Sequence, residues 1–188
     1  MINTPTLNTK NRAVEINSVF DDFVKDLSVK PKIASIELAT DENKRKTFEN
    51  FDTSCALSII RAIAATAKEV IYLFTDNLDP QVYDDPILCD SLKQFTQNGG
   101  KVFVLIDNKL KFSTHNPVPV IYNFYGQSNF IFEFTSKQTN FKNFIVADEI
   151  MYRLEIEPDL HRAIASFNDK EFADALTLAF MKLSNRKK

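Results

Sequence analysis

Glycine is scarce in this chain, with three among 188 residues, and tryptophan is absent. Three glycines leave little room for a loop that cradles phosphates through backbone N–H groups. No Walker loop, dinucleotide glycine fingerprint, HExxH or GxSxG pattern is present either. Cysteine is as sparse: Cys55 and Cys89 are too few and too far apart for a zinc ligand set, and both read as buried thiols of a reducing compartment. The formal charge is only −2, without the positive excess of a general nucleic-acid binder. The cationic end Asn185-Arg186-Lys187-Lys188 reads as a solvated tail. No stretch has the length of a bilayer span or the charged start and apolar run of a leader. The expectation is a cytoplasmic protein without membrane contact, cofactor or metal.

What the chain has is phenylalanine, 17 of them, in a composition 44% hydrophobic and 26% charged. That balance, at this length, fits one domain with a well-filled core. Residues 1–14 are aperiodic and polar. Glu15 to Leu27 carries Ile16, Val19, Phe20, Phe23, Val24 and Leu27 at helical spacing, and Lys30-Pro31-Lys32 breaks it. The expected organisation is therefore an arm over 1–32 and an α/β domain over 33–188.

Within the domain, Ile33 to Ala39 reads as a strand. A helix capped at Thr40 or Asp41 should then run to Ala67-Lys68, with Phe48, Phe51, Cys55, Ile59 and Ile63 along one face. Val70 to Phe74 and Val102 to Ile106 are continuous apolar runs, the mark of strands covered on both faces. Between them Asp85 caps a helix with Pro86 at N1 and a stripe of Leu88, Leu92 and Phe95, ended by Gly99 or Gly100. Strands are expected over Val120–Tyr125, Phe130–Phe134, Asn143–Ala147 and Ile150–Ile156, the last two joined through Asp148-Glu149. Pro158 should open a helix burying Leu160, Ile164 and Phe167. Asn168 with Glu171 should cap a final helix burying Phe172, Leu176, Ala179 and Leu183. The sum is α/β: a mixed, largely parallel sheet flanked by helices.

Ligands of parallel βαβ units gather beyond the carboxyl ends of the strands. Asp76 follows the first buried strand and Asp107 the second, while Asp79, Asp84 and Asp85 crowd the first loop. Such carboxylates bind a divalent ion, act as acid and base, or simply cap turns. His115 and His161 have no Ser, Cys or Asp at triad spacing and read as surface residues. Alternation puts Tyr152 and Leu154 on one face of the 150–156 strand and Arg153 and Glu155 on the other. There the Arg and Glu pair with each other or hold an anion.

Residues from about Ala56 to Ser184 resemble half of the phospholipase D-like superfamily, in particular members that have lost the catalytic signature. Ala67 to Asp85, Lys101 to Asp107 and Phe141 to Glu155 carry the resemblance, the last placed like the family's HxKxxxxD strand. Active members use the motif histidine as nucleophile and the lysine to stabilise phosphate charge, and single-domain members complete the site as homodimers. With Asp148 as the motif aspartate, Phe141 stands at the histidine position and Asn143 at the lysine position. Lys142 is one place off register, and by alternation it points to the other face. The family's following glycine-serine segment is replaced by Met151-Tyr152-Arg153. The resemblance thus implies a non-catalytic binding or adaptor module for nucleic acid, a phosphorylated ligand or a protein partner. Its vestigial cleft would draw on Asp76, Asp79, Asp107, Lys142, Asp148, Tyr152, Arg153 and Glu155. Two alternatives stay open. One is a metal-dependent phosphodiesterase or nuclease built on Asp76, Asp79, Asp107 and Asp148. The other is a structural or regulatory subunit docking through the Ile16–Leu27 arm.

Overall fold

The computed structural model describes residues 47–50, 52–107, 109, 112, 119–124, 126–136, 138–139, 141–157 and 162–184. The arm, the 33–39 strand, both histidines and the basic tail lie outside the described residues.

Seven strands form one mixed sheet in the order β1-β7-β6-β5-β2-β3-β4. They are β1 (Phe48–Asn50), β2 (Val70–Thr75), β3 (Lys101–Ile106), β4 (Phe130–Phe134), β5 (Phe144–Ala147), β6 (Met151–Glu157) and β7 (Arg162–Ser166). The helices are α1 (Thr53–Thr66), the single turn α2 (Pro80–Tyr83), α3 (Pro86–Gln97) and α4 (Lys170–Leu183). The mixed α/β architecture is the expected one, but parallel pairing is confined to β2–β3 and β3–β4. The remaining neighbours are antiparallel: short connections join β5 to β6 and β6 to β7, while β2–β5 and β1–β7 pair strands far apart in the chain.

Three elements differ from expectation. Phe48 lies in β1, paired with Ala165, and the following helix starts only at Thr53. Asp52 sets that start by accepting the Cys55 N–H at 2.7 Å. Val120–Phe124 is a 3-10 turn rather than a strand. Arg162–Ser166, expected within a helix, pairs antiparallel with β6, which buries Ala163, Ile164 and Ala165 completely. At the start of α4 the N-cap is Asp169, not Asn168, accepting the Phe172 N–H at 3.2 Å. The buried residues of α4 are Ala173, Leu176, Thr177, Ala179 and Phe180: Leu176 and Ala179 are as expected, while Phe172 and Leu183 are only partly buried.

Side-chain alternation divides the core in two. On one face Ile71, Leu73, Val102, Val104, Ile145 and Met151 pack with Ile59, Ile60 and Ile63 of α1 and Leu88, Leu92 and Phe95 of α3. Each such aliphatic side chain contributes roughly 1.5–3 kcal/mol through burial. On the other face α4 covers Tyr72 and Tyr152, with Phe180 5.0 Å from the Tyr72 ring and Phe172 4.6 Å from the Tyr152 ring.

Caps fix the helix ends. Asp85 accepts the Leu88 N–H at 2.8 Å, and Gly99, at φ 93°, ends α3 in the left-handed conformation that only glycine adopts without strain. Arg61 of α1 forks onto the Asp85 carboxylate, with Nε 2.7 Å from Oδ1, and this bond is the main reason the carboxyl sits below its ordinary pKa. Because the folded value is depressed, the stabilisation is present above the unfolded pKa near 4 and is lost as pH falls through the folded one. Asp85→Asn is expected to cost about 0.5–1 kcal/mol at neutral pH. Urea melts from neutral pH downward check this, since the gap from the unchanged protein should close under acid.

The β5–β6 hairpin turns through Asp148 and Glu149, both at φ 53°, with the Ile150 N–H on the Ala147 carbonyl at 3.1 Å. A turn of this kind calls for two left-handed residues, and a non-glycine residue held there costs roughly 1–2 kcal/mol. The contact of the Glu149 carboxylate with Lys170 is exposed and 3.4 Å long, which makes it a weak one. Glu149→Gly is therefore expected to stabilise the fold by about 0.5–1 kcal/mol, read as a raised urea midpoint.

Candidate functional site

The carboxyl end of β2 meets the start of β5 and the end of β6. Phe74 pairs with Phe144 and Phe144 with Leu154, so the next row across the sheet is Thr75, Asn143 and Glu155, on the face shared with α1 and α3. Asn143 is the joint of that row. Its Oδ1 accepts the Asp76 N–H at 2.9 Å and its Nδ2 donates to Glu155 Oε2 at 2.8 Å. Glu155 Oε1 in turn takes Arg153 Nη1 at 3.0 Å, and both side chains of that pair are nearly inaccessible. The Glu155 N–H also donates to the Asn143 carbonyl at 2.9 Å, which locks the row to the backbone.

Tyr83, the last residue of α2, closes this end and is itself buried. Burial lifts its phenol above the ordinary range, and the negative charge of Glu155 adds to the lift, while Arg153 works against it and Asp79 and Asp76 reinforce it. Asp79 opens α2 as its N-cap, accepting the Gln81 N–H at 2.9 Å. The loop from Thr75 to Asp79 also holds Leu78 fully buried at φ 52°.

One strand over, Asp107 is buried and occupied. Its carboxylate accepts from Thr135 Oγ1 and from the Thr139 N–H and hydroxyl, all at 2.9 Å. These bonds tie the end of β3 to the segment that leads into Asn143. Asp84 is turned to a structural bond as well, accepting the Val120 N–H.

The sequence candidates are therefore divided. Asp76, Asp79, Arg153 and Glu155 come together, with Asp107 beside them and Lys142 exposed in the segment before β5. Asp148 lies at the opposite end of β5, where Ala147 pairs with Ile71 at the start of β2. There its carboxylate accepts the N–H groups of Lys68, Glu69 and Val70 at 2.7, 3.0 and 2.9 Å. Tyr152 is on the other face, fully buried, with its hydroxyl 3.5 Å from that of Thr47. Burial raises its phenol pKa too. Phe141 sets its ring edge-on to Phe74 and Phe144, at 5.8 Å from each.

Two members of the cluster, Asn143 and Tyr83, were not among the candidates. The first follows from the register: Ala147 pairs with Met151, so the connection takes in Ile150 as well as Asp148 and Glu149, and 143 falls opposite 155 rather than opposite the 154 that a two-residue turn would give. The second was not legible, because nothing local marks a tyrosine at the end of a one-turn helix. Chemically the row is a chain of hydrogen bonds in which a buried anion, Glu155, meets a buried cation, Arg153. Among the described residues no three His, Cys, Asp or Glu side chains are grouped to hold a metal ion. No helix among them is long and apolar enough to cross a membrane.

This mixed sheet with helices on both faces has the fold of solved phospholipase D-like structures. The chain is similar to Nuc of Salmonella typhimurium, a phospholipase D family member, with TM-score 0.57 and 13% identity over 77% of this chain and 97% of that one. It is similar to TrmBL2, an archaeal chromatin protein with a novel mode of DNA binding, at TM-score 0.57 and 12% identity over 92% of this chain and 62% of that one. Phosphatidylserine synthase of Haemophilus influenzae matches at TM-score 0.52 and 13% identity over 96% of this chain, which spans 46% of that protein. The fold is thus shared by enzymes and by a DNA-binding protein. No family model matches the sequence, and no curated protein matches it.

Proposed function

We propose that this domain is a non-hydrolytic phospholipase D-like module that binds a nucleic acid, another phosphorylated ligand or a protein partner at the polar end of its sheet. What supports the reading is the pair Phe141 and Asn143, which by motif spacing back from Asp148 fall at the family's histidine and lysine positions. A phenyl ring has no lone pair with which to attack phosphorus, and Phe141 is engaged with Phe74 and Phe144. An amide brings no charge to stabilise a phosphorane, and both ends of Asn143 are committed to hydrogen bonds. The buried Arg153 on the same face is paired with Glu155. Assembly as a homodimer belongs to the same proposal.

The metal-dependent alternative is weakened by placement, since Asp148 is at the far end of β5 and Asp107 is bound by two threonines. Under the proposal, bis(p-nitrophenyl) phosphate, DNA and RNA remain intact over hours with chelator, Mg²⁺ or Mn²⁺. Turnover that vanishes on Asp76→Asn would overturn it. Fluorescence anisotropy with labelled single- and double-stranded oligonucleotides separates the forms of binding. A nucleic-acid ligand gives saturable binding that weakens as salt rises, and a flat titration at low salt leaves the protein-partner form.

A further inference from the structure

We draw no further inference here: the strongest candidate, the groove of about 360 Å³ between the C-terminal halves of α1 and α3 that is floored by Ala64, Ala67 and Phe95 and rimmed by Lys68, Gln94 and Asn98, rests on a stripe of small residues, and nothing among the described residues shows what covers it.

Discussion

Arg153→Met is expected to remove about 3–5 kcal/mol of stability, a large share of the 5–15 kcal/mol that holds a domain of this size together. The reason is the carboxylate left behind. Glu155 is 7% exposed and Arg153 4%, so neither charge has much access to water. Methionine fills the space of the arginine stem but brings no charge to match the Glu155 carboxylate, which keeps the Asn143 amide as a donor. Glu155→Gln alone should also be costly, because it takes from the buried guanidinium the opposite charge it faces. The double variant should recover part of the loss, since glutamine still accepts from Asn143 Nδ2 and no buried charge remains. A double-mutant cycle read by urea unfolding is then expected to give a favourable coupling above about 1.5 kcal/mol. An Arg153→Met cost below about 1 kcal/mol would show that water reaches the pair and that the row is not the dry network described above.

That pair also shows how far residue order alone reaches. Alternation placed Arg153 and Glu155 on one face and Tyr152 on the other, and so they lie. The apolar runs at 70–74 and 102–106, the Asp85-Pro86 helix start and a hairpin through Asp148-Glu149 were legible because their signals are local: apolar continuity, an N-cap and a turn, although the connection proved to be three residues long. Arg162–Ser166 was not. Ile164 and Phe167 are three apart and fit a helix as well as a strand, and only the ladder to β6 settles the matter. Val120–Phe124 has strand composition, but it curls into a 3-10 turn whose Val120 N–H is taken by Asp84, 36 residues earlier. β1 was absorbed into a helix for the same reason, since its partner β7 is more than a hundred residues away. As for the site, the acids after β2 were found from topology, whereas Asp148 was drawn into the cleft by its motif spacing. Five residues along an extended strand are a length of roughly 17 Å, enough to carry a residue from one end of this sheet to the other.

Asp148→Ala is expected to cost about 2–3 kcal/mol, and the size follows from what the carboxylate holds. Three consecutive N–H groups, those of Lys68, Glu69 and Val70, converge on its two oxygens and join the end of α1 to the start of β2. Two of these bonds are exposed, so water replaces them at small loss, and the part-buried Val70 N–H carries most of the penalty. The backbone adds a second term. Asp148 sits at φ 53°, which aspartate tolerates better than alanine does. Glycine there loses the acceptor but relieves the backbone, so Asp148→Gly should be about 1 kcal/mol milder than Asp148→Ala. Asparagine keeps one acceptor oxygen and the tolerance for this conformation, and should be the mildest of the three. The expected order of urea midpoints is therefore Asp, Asn, Gly, Ala. Equal loss in the Asn and Ala variants would mean that charge alone, not the hydrogen-bond acceptor, matters at this turn. The result bears on function through its location. An aspartate that clamps the join of α1 and β2 at one end of the sheet has a structural reason to be there, independent of any chemistry at the other end.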